Sequence, residues 1–489
     1  MTARPNLLFL LSDQHAQRIA GCYGESLLVT PALDALAGRG VIFDNAYCAS
    51  PVCVPSRMSL LTATHPHRQQ VWTNDDVLAS DRPTWAHALG AAGYRPTLIG
   101  RLHALGPDQL HGFLHREVGD HSPNWPGVPR HDLGVLSRAN DPWPESIARS
   151  GPGRSSYEAK DEEVADFACA FLKETAAAGA LPFALHVGFI LPHPPYVCGA
   201  EDYRRFAGRV GPPARGIPAD EHPWLRWWRE DRGLATAAPA HILRARTAYY
   251  GLVASMDRMI GRILETLAAT GLARDTLVIY ASDHGDHLGE RGLFWKHTLH
   301  EESVRVPLIL SHPGHLPEGE RRAGVVNLID LGPTIIEALG APALPNTDGR
   351  SFLALARDGA APWLDETSSE YCTDAVPDWT GGAAVQQRML RSGRWKLCWY
   401  AGYRPQLFDL ETDPGETRDL ASDSFVTSLR DQLATRVLAS WDPAAIRARM
   451  AARRADKDLL AAWARAASPP SEHLWRLAPE QNRLDPTNR

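Results

Sequence analysis

The feature that most limits the possible folds of this chain is a regular alternation of short apolar runs with helix-like segments over about the first 340 residues. Asn6–Leu11, Phe183–Leu191 and Thr276–Ala281 are examples of the apolar runs, and Glu158–Ala178 and Ala240–Ala269 are examples of the helical segments. Such runs are typical of strands that are buried on both faces. The alternation therefore predicts an α/β fold in which helices cover both faces of a doubly wound sheet.

The character of the sequence changes after about residue 360. Short runs at Ala384–Leu390, Trp395–Tyr400 and Gln406–Asp409 predict antiparallel strands, and a helix is expected from Ser424 to Leu438. We therefore predict three parts. They are an α/β domain over residues 1–360, a small α+β subdomain over 361–440, and a C-terminal tail over 441–489 that is a possible oligomer contact.

Composition and charge exclude several classes of protein. A content of 44% apolar and 22% charged residues is that of a globular chain, and a net charge of −6 gives no reason to expect nucleic acid as a partner. Seven cysteines with no CxxC pair fit a reducing compartment, and no apolar run approaches the roughly 20 residues that cross a bilayer. We expect a cytoplasmic protein that does not bind membranes. Long irregular insertions and the tail favour a homodimer or homotetramer.

Polar side chains stand just past the predicted ends of four strands: Asp13, Arg101, His193 and Asp283. In open α/β sheets, ligands bind at the carboxyl edge of the strands. We therefore expect four separate loops to deliver these side chains to one cleft.

A metal site is indicated where two of these strands end. Asp13, Gln14, Asp283 and His284 offer two carboxylates, an amide oxygen and an imidazole. This mostly oxygen set suits Ca²⁺, Mg²⁺ or Mn²⁺ better than a structural zinc ion. Such an ion would neutralise charge on a bound sulfate or phosphate and would lower the pKa of a bound hydroxyl.

In the segment Cys53-Val54-Pro55-Ser56-Arg57, a helix is predicted from Pro55 to Thr64, and its first turn lies immediately after Cys53. The free N–H groups at a helix N-terminus favour an anion near Cys53, and Arg57, one turn along, is expected to point back towards it. Further cationic and acid/base groups for a tetrahedral anion and its leaving group are available in Arg101, His103, His193 and Lys296.

At these residues the chain resembles the sulfatase family of the alkaline-phosphatase superfamily, from Asn6 to about residue 420. The matching segments are Ser12-Asp13-Gln14, the Cys53 motif, Gly100-Arg101-Leu102-His103, Asp283-His284-Gly285, Lys296, and Leu407-Phe408-Asp409-Leu410. The resemblance implies an alkaline-phosphatase-like, doubly wound mixed sheet flanked by helices, and a sulfuric ester hydrolase activity.

The resemblance also implies roles for individual residues. A formylglycine-generating enzyme would convert Cys53 to formylglycine (3-oxoalanine), whose hydrate attacks sulfur and whose sulfate hemiester then collapses to release sulfate. Arg57 would hold the hydrate, and one divalent ion, Ca²⁺ first and Mn²⁺ or Mg²⁺ as alternatives, would bind Asp13, Gln14, residue 53, Asp283 and His284. The sulfate and leaving-group side would be lined by Arg101, His103, His193 and Lys296, with Asn74 as a further candidate.

One position departs from the family pattern. Many sulfatases have lysine where this chain has Arg101. Arginine keeps the charge but does not readily give up a proton, so the leaving-group acid is expected to be His103, His193 or Lys296.

Within the family, the segments Gly106–Phe113 and Gly285–Leu293 resemble enzymes of the choline-sulfatase type. A quaternary ammonium substrate needs an aromatic face and a carboxylate, for which Trp125 and Asp374 are the candidates. The expected substrate is accordingly a small alkyl or aryl sulfate ester, with choline sulfate as one possibility. The alternatives are a phosphonate monoester or phosphodiester hydrolase of the same superfamily, and a homologue that binds without catalysis.

Overall fold

A mixed β-sheet forms the centre of the computed structural model, which describes residues 4–128, 132–140, 142–179 and 182–485. The strands of this sheet are β1 Asn6–Asp13, β2 Val41–Tyr47, β3 Pro96–Gly100, β4 His115–Glu117, β6 Ala184–Pro192, β8 Thr276–Ser282, β9 Arg305–Val306, β10 Leu308–Ser311 and β11 Glu320–Asn327. The remaining strands are β5 Gly151–Arg154, β7 Val197–Cys198, β12 Glu366–Cys372, β13 Gln386–Ser392, β14 Trp395–Tyr400, β15 Tyr403–Asp409 and β16 Arg483–Leu484.

Helices cover the large sheet and surround the smaller ones. They are α1 Pro31–Gly38, α2 Cys53–Thr62, α3 Pro66–Gln69, α4 Trp85–Ala91, α5 Pro144–Ala148, α6 Ser156–Ala178, α7 Ala200–Phe206, α8 Pro223–Asp231, α9 Pro239–Ala269, α10 Glu301–Val304, α11 Leu331–Leu339, α12 Leu353–Arg357, α13 Thr427–Ala439 and α14 Pro443–Ala467. In the part of the chain that the structure describes, no helix combines the length and the apolar character needed to cross a bilayer.

The order of strands in the large sheet is β11-β2-β10-β8-β1-β6-β3-β4, and β9 pairs with β2. The neighbours β8, β1, β6 and β3 are parallel to one another, whereas β10 is antiparallel to both β8 and β2. The α/β class with a doubly wound mixed sheet is thus confirmed. Because four adjacent parallel strands end at the same edge, the four polar groups expected at strand ends lie on neighbouring strands.

Strands that sequence periodicity missed are polar at one end or along much of their length. The edge strand β11 begins Glu320-Arg321-Arg322, and β12 carries Glu-Thr-Ser-Ser-Glu in a largely buried position. One predicted strand, Arg305–Leu310, is divided at Pro307, because proline has no N–H for the ladder. Neither β11 nor β12 shows the apolar alternation on which the sequence prediction depends.

The C-terminal part consists of a second sheet, two helices and a returning segment. Strands β12-β13-β14-β15 form an antiparallel sheet, and α13 packs on β13 and β14. A separate apolar cluster joins this sheet to Trp441, Ile446 and Met450, and it also includes Trp72 of the large domain. After α14 the chain returns to the large domain, where Leu484 pairs with Gly153. The last four residues of the predicted tail, 486–489, lie outside the described residues.

Candidate active site

Cys53 is the first residue of α2 and lies at the edge where the parallel strands end. Its side chain is about 1% exposed, and the Sγ atom lies 3.2 Å from His284 Nε2, 3.1 Å from Lys296 Nζ and 3.6 Å from Asp13 Oδ1. The next backbone N–H, of Val54, donates to Asn74 Oδ1 at 3.0 Å. The cysteine is therefore held among polar groups at a helix N-terminus and is not part of an apolar core.

Four side chains converge in a cluster that fits a metal ion. One ligand atom from each of Asp13, Cys53, Asp283 and His284 lies within 4.8 Å of the others. His284 Nδ1 is 3.1 Å from the Gly285 carbonyl, so Nδ1 carries the proton and Nε2 presents a lone pair to the cluster. Burial lowers the pKa of His284 to about 4, which keeps the imidazole neutral. Two carboxylates and a neutral imidazole suit a divalent ion, with the thiol standing where an oxidised side chain would supply oxygen.

Arg57 binds both carboxylates of this cluster. Its Nε donates to Asp283 Oδ2 at 2.8 Å, its Nη2 to Asp13 Oδ2 at 3.1 Å, and its Nη1 to the Arg101 carbonyl at 3.2 Å. Burial alone would raise the pKa of Asp13, but Arg101, His193 and Arg57 hold that pKa well below its usual range. The guanidinium is thus directed at the two carboxylates that cluster with Cys53, and its role in holding the hydrate at position 53 stays a prediction.

Gln14 contacts the groups of the site through its backbone N–H and through a hydrogen bond from Lys296 to its side chain. It adopts a left-handed conformation with φ of 70°, and its N–H donates to Asp283 Oδ1 at 3.0 Å. Its side-chain oxygen accepts from Lys296 Nζ at 2.7 Å, and its Nε2 donates to Asp286 Oδ2 at 2.6 Å. Gln14 therefore positions Asp283 and Lys296, and its place as a metal ligand stays a prediction.

Arg101 joins the cluster to a third buried carboxylate, that of Asp120. Its Nε donates to Asp13 Oδ2 at 2.7 Å and its Nη1 to Asp120 Oδ1 at 3.2 Å, while Nη2 lies 2.7 Å from His103 Nδ1. Burial opposes the charge, but Asp13 and Asp120 raise the pKa of Arg101. The predicted Arg101 and His103 are thus both at the site, held by a carboxylate that sequence reasoning did not single out.

His193 lies on the loop after β6, as its sequence position indicates. Its Nδ1 is 2.8 Å from the Pro194 carbonyl, and its side chain lies close enough to Cys53 to interact with it electrostatically. Burial lowers the pKa of His193 to about 4, and nearby Lys296 adds to this shift. The neutral ring therefore carries its proton on Nδ1 and presents Nε2 as an acceptor.

Two adjoining cavities open at this edge, and we call them the reaction cleft and the distal cavity. The reaction cleft has a volume of about 60 Å³ and is lined by Gln14, Cys53, Asn74, Arg101, His103, His121, Ser122, Tyr157, His193, Trp295, Lys296, Leu477 and neighbouring residues. The distal cavity has a volume of about 430 Å³ and is lined by Asn74, Asp75, His103, Ser122, Trp125, Asp374, Arg454, Lys457, Asp458 and neighbouring residues.

The two predicted substrate-binding residues lie in the distal cavity. Trp125 stands edge-on against Trp463 of α14, with ring centroids 5.0 Å apart, and Asp374 lines the same cavity from the loop after β12. Neither lines the reaction cleft that contains Cys53. Asn74, His103 and Ser122 line both cavities, so an organic group attached to an ester in the cleft would extend past these three residues towards Trp125 and Asp374.

Sequence reasoning missed several residues of the reaction cleft or its support, among them Asp120, Tyr157 and Leu477. Asp120 and Leu477 lie in segments without clear periodicity, so no strand end or helix start marked them. Tyr157 is in the first turn of α6, where an aromatic residue usually contributes to packing. Only the return of the C-terminal segment to the large domain brings Leu477 to the cleft.

Comparison with protein-family models shows two matches. The sulfatase model matches residues 5–341, and the model for the C-terminal region of N-sulphoglucosamine sulphohydrolase matches residues 289–441. Choline-sulfatase of Rhizobium meliloti (strain 1021) is 32% identical over 465 residues, which cover 90% of this chain and 88% of that protein. Arylsulfatase K of Bos taurus is 28% identical over 457 residues, covering 88% and 80% respectively.

Among solved structures, the phosphonate monoester hydrolase of Agrobacterium radiobacter superposes with a TM-score of 0.74 at 26% sequence identity, covering 89% of this chain and 95% of that one. The fold is thus the alkaline-phosphatase-like fold of the sulfatases and their hydrolase relatives. The chain belongs to the sulfatase family. It is a sulfuric ester hydrolase.

Proposed function

We propose that this protein hydrolyses the sulfate ester of a small organic alcohol, using formylglycine formed from Cys53 as the nucleophile. The observation that supports this most directly is the position of Cys53. Its Sγ lies at a helix N-terminus, in contact with Lys296 and His284, and within the cluster that includes two carboxylates. A structural cysteine needs none of these neighbours, whereas a nucleophile at a charged ester needs an electropositive, preorganised site.

The donor set supports a divalent metal ion at Asp13, Asp283, His284 and residue 53, with Gln14 as a further proposed ligand and Ca²⁺ ahead of Mn²⁺ or Mg²⁺. When bound, such an ion polarises sulfate oxygens and favours the ionised form of a hydroxyl at position 53. Arg57 and Arg101 bind Oδ2 of Asp13 and Asp283, whereas Oδ1 of each carboxylate lies near His284 Nε2, where these atoms would hold the ion together.

The side chains of the reaction cleft supply the remaining functions. Lys296 donates to the atom at position 53 and to Gln14, so its ammonium group lies where it can stabilise negative charge on sulfate oxygens. His193 lies close to residue 53, and its Nε2 is a hydrogen-bond acceptor, so the ring is suited to take the proton of the attacking hydroxyl. Asn74 holds the helix N-terminus beside the nucleophile.

For the organic group, we propose the distal cavity and a small cationic alcohol such as choline. Trp125 offers an aromatic face, and three carboxylates line the cavity: Asp75, Asp374 and Asp458. Arg454 and Lys457 also line it, but Lys457 forms an ion pair with Asp76 at 3.1 Å. The similarity to a choline-sulfatase over 90% of the chain supports the same choice.

A phosphonate monoester or phosphodiester hydrolase is the second candidate. The resemblance in fold to a phosphonate monoester hydrolase at 26% identity favours it, and sulfate and phosphonate esters present similar tetrahedral anions. We further propose maturation by a formylglycine-generating enzyme, a cytoplasmic location, and assembly as a homodimer or homotetramer.

The first experiment tests position 53 by mass. Trypsin releases residues 40–57 as one peptide that contains Cys48 and Cys53. After alkylation, the proposal expects one alkylated thiol, at Cys48, and an aldehyde at position 53. Two alkylated thiols in enzyme that turns over sulfate esters would refute the formylglycine mechanism, and Cys48 is the internal control for complete labelling.

The second experiment tests the substrate. Rates are measured with choline sulfate and with matched aryl sulfate, aryl phosphonate and phosphodiester substrates, each also with the Cys53→Ala variant. The proposal expects the highest kcat/KM for a sulfate and no turnover by the variant. A preference for the phosphonate by orders of magnitude would replace the sulfatase assignment with the second candidate.

A further inference from the structure

The Asp120 carboxylate holds two groups of the reaction cleft, the Arg101 side chain and the backbone N–H of His103. Its carboxylate accepts from Arg101 Nη1 at 3.2 Å and from the backbone N–H of His103 at 2.5 Å, and it is only 2% exposed. Its own backbone is held by the C-terminal segment, because Asp120 N donates to the His473 carbonyl at 2.8 Å and Trp475 N donates to the Asp120 carbonyl at 2.7 Å. Asp120 thus fixes both Arg101 and the main chain of His103.

The contact between Arg101 and His103 determines which ring nitrogen of His103 carries the proton. A guanidinium group has five N–H donors and no acceptor, and it stays charged in proteins. Because Arg101 Nη2 lies 2.7 Å from His103 Nδ1, that nitrogen has to accept and cannot bear hydrogen. The neutral ring then carries its proton on Nε2.

His103 and His193 consequently present opposite groups to the site. His193 has its proton on Nδ1, where the Pro194 carbonyl accepts it, so Nε2 of His193 is an acceptor. Nε2 of His103 is a donor, held in that state by Arg101. Loss of this proton would leave an imidazolate, so His103 is suited to donate a hydrogen bond and not to transfer the proton. The proton that the departing oxygen gains would come from Lys296, or from His193 once it has taken the proton of the attacking hydroxyl.

The position of His103 indicates which atom would receive this hydrogen bond. His103 lines both the reaction cleft and the distal cavity, together with Asn74 and Ser122. An ester with its sulfur at Cys53 and its organic group in the distal cavity has its bridging oxygen at this junction. That oxygen gains negative charge as the sulfur–oxygen bond breaks, and a preorganised neutral donor stabilises such charge.

We propose that Asp120 is a positioning residue which, through Arg101, holds His103 as the neutral Nε2–H form, and that this N–H donates to the bridging ester oxygen in the transition state. The hydrogen bond to the bridging oxygen rests on the function proposed above. The proposal also gives a reason for arginine at position 101, because a lysine ammonium lacks the planar fork that reaches Asp13, Asp120 and His103 together.

The first test measures the tautomer and needs no turnover. In enzyme with ¹⁵N-labelled histidine, the two ring nitrogens of His103 are assigned by comparison with the His103→Gln variant. We expect a protonated Nε2 and an unprotonated Nδ1 in the wild type, and loss of this pure state in Asp120→Asn and Arg101→Lys. Glu117→Gln, which changes a partly exposed carboxylate three positions from Asp120, should leave the signals unchanged. A protonated Nδ1 in the wild type, or an unaltered tautomer in Asp120→Asn, would overturn the proposal.

The second test measures leaving-group dependence with a series of aryl sulfates of decreasing leaving-group acidity. Removing the donor in His103→Phe should lower kcat about 10²-fold for the poorest leaving groups and much less for the best, with a smaller effect on KM. His103→Gln, whose amide can donate, should recover part of the loss, and Asp120→Asn should steepen the dependence in the same direction. A uniform loss across the series would show that His103 does not act on the bridging oxygen.

The two tests separate the possible failures. If sulfate esters are not turned over but phosphonate monoesters are, the same leaving-group series is run with phosphonates, and the tautomer measurement is unaffected. If the tautomer is as expected but the series shows no change in slope, the positioning by Asp120 stands and the contact to the bridging oxygen is refuted.

Discussion

Replacement of Arg57 with methionine tests whether this residue stabilises the metal cluster or serves the nucleophile. The guanidinium lies between two carboxylates that are fully buried, with N–O distances of 2.8 Å to Asp283 and 3.1 Å to Asp13. Removing one partner of a buried ion pair costs about 3–5 kcal/mol, because the remaining charge is left uncompensated. The unfolding entropy of a chain this long is about 1 kcal/mol per kelvin for cooperative unfolding, so we expect Tm to fall by about 3–5 °C.

The pH dependence of this loss has a defined sign. Arg101, His193 and Arg57 outweigh burial and hold the pKa of Asp13 well below its usual range. A carboxyl group whose pKa is lowered on folding contributes stability above its unfolded pKa of about 3.9, and loses it as the pH falls through the folded pKa. The difference in Tm between the wild type and Arg57→Met should therefore be complete at pH 7 and smaller under strongly acidic conditions.

The assay is differential scanning calorimetry at pH 7 in the presence of a chelator, so that no added ion replaces the missing cation. The wild type, Arg57→Met, Cys53→Ala and the double variant are compared. Since the partners of Arg57 are Asp13 and Asp283, its loss should lower Tm equally with and without Cys53. A change in Tm below about 1 °C, or a loss that disappears in the Cys53→Ala background, would refute the assignment of Arg57 to the carboxylates.

Four further results are expected. Asp283→Asn should abolish turnover with an unchanged far-ultraviolet circular dichroism spectrum; residual metal-dependent turnover would contradict its place in the cluster. Truncation after Ala467 removes Leu477 and the backbone bonds to Asp120, and it should lower kcat/KM at least about tenfold; full activity would exclude a role for this segment. Burial raises the pKa of Glu158 to about 7, so the charged form destabilises the fold as the pH rises from about 4 to 7. Glu158→Gln should therefore raise Tm at pH 8, and the free energy of unfolding should rise by at most about 3 kcal/mol. Both gains should become smaller towards pH 4, and an equal shift in Tm at both pH values would contradict this. Trp125→Ala should raise KM for choline sulfate more than for an uncharged aryl sulfate, and equal increases would remove Trp125 from cation binding.

The large-scale position of the site could be predicted because it depends on local sequence patterns. Apolar runs identified β1, β3, β6 and β8, and each of the four polar groups follows one of these runs directly. The rule that ligands bind at the carboxyl edge then brought them together without knowledge of the strand order. The observed order β8-β1-β6-β3 places the four strands side by side.

The direction of individual side chains could not be predicted in the same way. Spacing alone places Arg57 one turn from Cys53, but it does not reveal that the guanidinium donates hydrogen bonds to the buried carboxylates of Asp13 and Asp283. The left-handed backbone at Gln14, which turns its N–H to Asp283, is a conformation that few residues other than glycine adopt and that no sequence motif marks. Both features depend on contacts with Asp283, which is more than 200 positions away in the sequence from Arg57 and from Gln14.

The reaction centre and the distal cavity differ in the elements that build them, and this difference determines how substitutions should act. The groups around Cys53 follow four strands of the core sheet, so a change in any one of them disturbs buried charges shared with the others. The distal cavity is built from an insertion, the loop after β12 and α14, where Trp125 is braced by Trp463 on a helix that is largely exposed. Substitutions in the lining of the distal cavity should alter KM for substrates with different organic groups, and they should leave the histidine tautomers and the charges around Cys53 unchanged. Selection of the substrate in this chain can therefore change independently of the chemistry, because among the described residues the two cavities share only Asn74, His103 and Ser122.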